Sequence, residues 1–223
     1  MSITLGFDVY GTLIDTAGVK TALEKIVGDE AGRFSELWRQ KQLEYSFRRG
    51  LMQNYCKFSI CTKEALEYTC KVLDVDIPSE EQKALMLEYR RLPAFGDAEE
   101  ALPQLRAAGF QLYAFSNGPA EDVNALLENA GIAAYFRDVV STDEIKSFKP
   151  NPAVYAHFLR KSGTAANEAW LVSGNPFDVI GAISAGMRGA WVKRSPAAVF
   201  DPWEINPTVT VGSLGELAGV LQS

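Results

Sequence analysis

Short runs of apolar residues recur along the chain at 3–8, 110–115, 137–141, 169–173 and 189–193. Each is too short for a helix and nearly continuous rather than alternating, the pattern of strands buried on both faces of a parallel sheet. Between them, 97–108, 119–130, 151–161 and 176–186 carry apolar residues at three- and four-residue spacing, which predicts helices. Strand and helix in alternation predict a sheet covered by helices on both sides.

Residues 17–92 break this rhythm. They hold no convincing strand but four helical stretches, 18–27, 33–50, 62–73 and 79–91. In the second stretch Trp38, Gln42, Tyr45 and Arg49 fall on one side at helical spacing. The segment 75–80 reads as a loop, with Ser79 placed to cap the next helix, and Pro93 marks the return to the sheet. The fold class is therefore α/β, with a parallel Rossmann-like sheet, helices on both faces and an inserted helical cap. The division expected is a core of residues 1–15 and 93–223 and a cap of 16–92.

Composition narrows the function classes. The chain has 223 residues, 47% hydrophobic and 22% charged, with a formal net charge of -6. That leaves ample apolar mass for a core. No basic run is present to neutralise phosphates, which argues against nucleic acid as a partner. No run of about 18 apolar residues predicts a membrane span, and the first residues lack the charged flank and apolar stretch of a signal peptide. Three cysteines, Cys56, Cys61 and Cys70, form an odd set without metal-ligand spacing, which points to reduced, packed thiols and a cytoplasmic location.

In a doubly wound sheet the ligand sits beyond the carboxyl ends of the strands. The polar residues there are Asp8, Thr12, Ser116, Asn117, Ser173, Asn175 and Asp178, with Lys149 joining from a loop. Four segments carry them: 7–15, with Asp8 before a glycine turn; 115–118; 148–150, followed by Tyr155; and 173–178. In this order they resemble the motifs of the haloacid dehalogenase superfamily. Phosphatases of that superfamily carry a second acid two residues after the nucleophile and another four residues before the last acid. Here these positions are Tyr10 and Gly174. Phosphoryl transfer would use both carboxylates, one as acid and one for magnesium. Expulsion of a halide needs neither, so no metal and no cofactor are expected.

The segments 37–45, 51–55 and Phe58 are further similar to the cap of the L-2-haloacid dehalogenases. That resemblance implies a small-molecule 2-haloacid substrate, a D-2-hydroxy acid product and a homodimer. It makes Asp8 the covalent nucleophile and Asp178 the group that activates the hydrolytic water. Lys149 would hold the Asp8 charge; Thr12, Ser116 and Ser173 would donate hydrogen bonds; Asn175 and Tyr155 would orient the catalytic groups. Arg39 would receive the halide beside Asn117 and Phe58, with Tyr10, Gln40 and Leu43 around the substrate's alkyl part and Phe177 next to Asp178. Family members carry tryptophan at the position of Phe177 and serine at that of Gly174, which bears on substrate size. His157 is expected near the surface, and Trp170 and Trp191 in the core. The competing readings are a magnesium-dependent phosphatase or phosphonatase and a catalytically silent binding scaffold.

Overall fold

A computed structural model describes residues 3–222. Six strands form one sheet: β1 (Thr4–Phe7), β2 (Gln111–Ser116), β3 (Asp138–Ser141), β4 (Ala169–Ser173), β5 (Arg188–Val192) and β6 (Val209–Val211). Their order is β3-β2-β1-β4-β5-β6, and every pairing is parallel. β1 thus lies between β2 and β4, and all four of its residues are buried. The chain leaves β1 toward the point where the winding direction reverses, which puts Asp8 at the crevice expected for such sheets.

Nine α-helices accompany the sheet among the described residues. α1 (Ala17–Val27), α2 (Ala31–Leu51), α3 (Phe58–Leu73) and α4 (Ser79–Glu88) all fall between β1 and β2. The later helices are α5 (Gly96–Ala107), α6 (Ala120–Asn129), α7 (Pro152–Ser162), α8 (Pro176–Ser184) and α9 (Leu217–Gln222). The chain returns to the core where Ile14 bridges Ala94 in antiparallel fashion and the Asp15 N–H donates to the Pro93 carbonyl. Leu13 and Ile14, both fully buried, join the sheet's apolar core to that of the helices around Phe34, Trp38, Leu66 and Leu85.

Several local expectations needed correction. α3 starts at Phe58 rather than 62, so Phe58 and Ser59 sit on its first turn. Ser79 is the first residue of α4, not its cap; Pro78 takes that position and no side chain caps the helix. Strand β6 and helix α9 follow a long connection and were not foreseen. His157 is buried at 8% exposure, on the inward face of α7 with Val154, Tyr155 and Phe158. Its Nε2 lies 3.2 Å from Glu144 Oε2, without hydrogen-bond geometry. Trp170 and Trp191 are buried as expected.

Candidate active site

The site is assembled at the carboxyl ends of β1, β2 and β4. Asp8 is held in the sheet ladder by its own N–H, which donates to the Val172 carbonyl at 2.9 Å. Its carboxylate then accepts three bonds. Oδ2 takes the Thr12 hydroxyl and the Asn175 Nδ2, each at 2.8 Å, and Oδ1 takes the Lys149 ammonium at 3.2 Å. The Asp8 side chain stays 13% exposed, whereas that of Asp178 is fully buried. Of the two acids, only Asp8 is open to the crevice.

Lys149 binds the two acids together. Besides Asp8, its Nζ donates to Asp178 Oδ2 at 2.7 Å and to the Phe115 carbonyl at 2.8 Å. An ammonium has three protons to donate, and all three are placed. Burial alone would lower its pKa, but the two carboxylates outweigh burial and raise it, so the cation persists. Asp178 experiences the converse. Burial, reinforced by the Asp8 charge, pushes its pKa up to about 6, against the opposing pull of Lys149 and Tyr155. A carboxylate poised there suits general base work near neutral pH. Oδ1 of Asp178 also accepts the Tyr155 hydroxyl at 2.8 Å. That bond depends on Gly181: a Cβ there would lie 2.4 Å from the Tyr155 oxygen, so only glycine lets α7 and α8 approach this closely.

The start of α8 departs from ordinary helix chemistry. Asn175 occupies the cap position and Pro176 the first turn, as helix starts prefer, yet the Asn175 side chain makes no capping bond. It reaches instead to Asp8 and the Tyr10 carbonyl, and its Oδ1 accepts from Arg39 at 3.3 Å. Asp178, three residues on, likewise spends its carboxylate on Lys149 and Tyr155. Two residues suited to stabilising the helix start instead spend their side chains on the cluster around Asp8 and Lys149.

Gly174 packs under the nucleophile loop. Its N–H donates to the Thr12 hydroxyl at 2.8 Å, and a Cβ on it would lie 2.5 Å from the Gly11 carbonyl oxygen. No side chain, acidic or otherwise, fits there without moving the loop. Among the described residues, no group of three or more His, Cys, Asp or Glu is arranged to hold a metal ion.

Arg39 comes from α2 and is oriented in steps. Its Nη1 donates to Gln42 Oε1 at 2.9 Å, Gln42 Nε2 donates to the Thr62 hydroxyl at 2.6 Å, and that hydroxyl donates to the Phe58 carbonyl at 3.0 Å. Beside it lies a cavity of about 60 Å³ lined by Tyr10, Arg39, Gln42, Phe58, Tyr89 and Gly118, among others. Tyr89 is pushed up to about 12 by burial, and burial raises Tyr10 further still, so both phenols stay neutral.

The remaining expected residues divide. Ser116 and Ser173, both buried, each accept a backbone N–H two residues on, from Gly118 and Asn175. Asn117 Oδ1 accepts from the Lys149 backbone N–H at 2.9 Å and from the Thr142 hydroxyl at 3.3 Å. Phe177 meets Phe47 of α2 edge-on, ring centroids 5.0 Å apart. Leu43 is half-buried and does not line the cavity. Gln40 is not brought to the site: it is exposed and donates to Glu36 at 3.2 Å. On a helix, two residues past the buried Trp38 is nearly the opposite face. Gln42, four past Trp38, is the glutamine that reaches Arg39, and the helical spacing of 38, 42, 45 and 49 already carried that signal. Tyr89 and Phe47 had no comparable signal.

The family model of haloacid dehalogenase-like hydrolases matches residues 4–186. The chain belongs to this family. Within these hydrolases, the haloacetate dehalogenase H-2 of Moraxella sp. (strain B) is 37% identical over 207 residues, covering 93% of this chain and 92% of that one. An (S)-2-haloacid dehalogenase of Pseudomonas putida is 33% identical over 215 residues, covering 96% and 94%. The L-2-haloacid dehalogenase of Xanthobacter autotrophicus, solved with chloropropionic acid covalently bound, superposes with a TM-score of 0.90 at 31% identity. That superposition covers 100% of this chain and 99% of the solved one.

Proposed function

We propose that this protein is an (S)-2-haloacid dehalogenase that hydrolyses short L-2-haloalkanoic acids to D-2-hydroxy acids through an ester on Asp8. The observation that carries this reading is the setting of Asp8. Its carboxylate is aimed by Thr12, Lys149 and Asn175, and Asn175 links it to the guanidinium of Arg39. A nucleophile and an anion receptor thus face one crevice.

In the first step an Asp8 oxygen forms a bond to C2, and the carbon–halogen bond breaks with its electron pair on the halide. A fixed guanidinium suits the departing anion; Phe58, which lines the cavity beside Arg39, and Asn117 are its proposed further neighbours. Tyr10 and Phe177 border the substrate's alkyl part, while Ser116 and Ser173 donate to its carboxylate and to the oxyanion of the second step. In that step water adds to the Asp8 carboxyl carbon as Asp178 takes one of its protons. The bond from that carbon to the ester oxygen then breaks, the departing alkoxide takes the proton back to leave as the hydroxy acid, and Asp8 loses its remaining proton to solvent and is restored as the carboxylate. Lys149 neutralises charge throughout, and Tyr155 fixes Asp178. Halide needs no proton on leaving, so Tyr10 in place of a second acid is no handicap. The crowding at Gly174 leaves no room for the carboxylate a magnesium phosphatase would use.

Residues 16–92 act as a cap domain over a core of 1–15 and 93–223, carrying Arg39 and Phe58 to the crevice. The protein works as a homodimer in the cytoplasm. The free thiols are in keeping with a reducing compartment. Leu51 and Met52, 86% and 64% exposed at the end of α2, form an apolar patch that a second copy would cover. Among the described residues, no helix is long and apolar enough to cross a membrane.

The test is halide release from the two enantiomers of 2-chloropropionate in EDTA. The expected result is release from the S form alone, with D-lactate as product and none from an Asp8→Asn variant. Loss of activity in EDTA, or cleavage of phosphate esters instead, would overturn the assignment.

A further inference from the structure

We propose that Arg194 and Asp97 form a positioning pair that holds the nucleophile loop in register from beneath, an inference that rests on the dehalogenase reading above. Arg194 follows β5, and its two terminal nitrogens are spent on different segments. Nη1 donates to Asp97 Oδ2 at 2.6 Å, and Nη2 donates to the backbone carbonyl of Thr12. Thr12 is the residue whose hydroxyl aims Asp8 and accepts the Gly174 N–H. The guanidinium therefore clamps the backbone of the residue that sets the rotation of the Asp8 carboxylate.

The surroundings keep the clamp in place. The guanidinium lies 4.0 Å from the ring centroid of Phe95, and its Cγ is 3.5 Å from the position a Cβ of Gly174 would take. Asp97, at the start of α5, also accepts the Leu214 N–H at 2.8 Å and the Ser213 hydroxyl at 3.1 Å. Burial raises the Asp97 pKa, but the bonds from Arg194 and Leu214 prevail and hold it below the usual carboxylate range. One ion pair thus ties the loop after β1 to β5, to α5 and to the turn after β6. Arginine is required because its planar fork serves a carboxylate and a carbonyl at once, which a lysine ammonium on a flexible stem does less rigidly. Neither residue lines the cavity beside Arg39, so the pair acts through Thr12.

Single-turnover halide release from S-2-chloropropionate, with KM measured alongside, tests this on Arg194→Met, Arg194→Lys and Asp97→Asn. Displacement of a nucleophile by a fraction of an ångström lowers the rate of displacement far more than substrate binding. In Arg194→Met the first-turnover rate per folded molecule is expected to fall about tenfold or more, with KM within about twofold of wild type. Arg194→Lys should recover part of the loss, and Asp97→Asn should fall between the two. A merely structural role would lower the melting temperature and leave the rate per folded molecule unchanged, and that result would overturn the proposal. Should Arg194→Met fail to fold, wild-type rates in both Arg194→Lys and Asp97→Asn would overturn it equally. Absence of halide release from the wild-type protein would remove the dehalogenase reading and the inference with it. Normal wild-type turnover with unaffected variants would remove the inference alone.

Discussion

Replacing Lys149 with methionine removes a cation from between two carboxylates while nearly conserving volume. The ammonium makes three bonds, to Asp8, Asp178 and the Phe115 carbonyl, and its side chain is only 2% exposed. Solvent therefore cannot take its place. Breaking a buried pair by removing one partner costs about 3–5 kcal/mol, a large share of the roughly 5–15 kcal/mol that holds an ordinary domain folded. The loss has a characteristic pH dependence. Asp178 already titrates at about 6, above its value in an unfolded chain, and without Lys149 it moves higher. An acid whose folded pKa is raised adds stability that is present at low pH and lost as pH rises through that pKa. The variant should therefore regain stability between pH 8 and 5, by up to about 1.4 kcal/mol for each unit of added shift, before general acid unfolding intervenes. Urea denaturation of wild type, Lys149→Met and Lys149→Met/Asp178→Asn at several pH values measures this. The double variant should lose the recovery, since one of the opposed charges is gone. A single variant within about 1 kcal/mol of wild type at pH 8, with no gain on acidification, would refute the three-charge account.

Tyr155→Phe deletes a bond that favours the Asp178 carboxylate; the acid limb of the kcat profile, expected near pH 6 because Asp178 must be ionised to accept a proton, should move to higher pH. An unmoved limb would detach Tyr155 from the titrating group. Gly174→Ser drives a Cβ toward the Gly11 carbonyl, and kcat should fall about tenfold or more by displacing the loop; activity at the wild-type level would mean the loop yields freely. Gln42→Ala should raise KM or lower kcat by loosening Arg39, whereas Gln40→Ala should leave both within about twofold, as expected for an exposed residue; the reverse order would show that α2 is rotated in the working enzyme.

The parallel sheet was legible because its strands are buried on both faces and so read as continuous apolar runs. β6 was not: its three residues include only one that is buried, Val211, and they sit at an edge where no pattern is imposed. The start of α3 was missed because its first turn begins with Phe58 in the absence of a capping side chain. Most crevice residues could be named from their places just past strand ends, since that edge of the sheet gathers them whatever lies between. What sequence could not supply was the sharing of Lys149 by two acids, which joins residues 141 and 29 positions apart. Gln40 shows the opposite hazard: a position carried over from resemblance against the helical period was placed on the wrong face. His157 packs inward because α7 has buried residues on that side, and one imidazole among apolar neighbours gives no sign of burial in the sequence.

The central claim is that Asp8 itself carries the substrate, and isotope transfer reads this directly. A single turnover is run in heavy-oxygen water with enzyme in excess over S-2-chloropropionate, and the Asp8 peptide and the lactate are weighed by mass spectrometry. The ester route predicts heavy oxygen in the Asp8 carboxylate and none in the lactate from that first turnover. Heavy oxygen in the lactate with an unlabelled Asp8 would mean that water attacks C2 directly, and would contradict it.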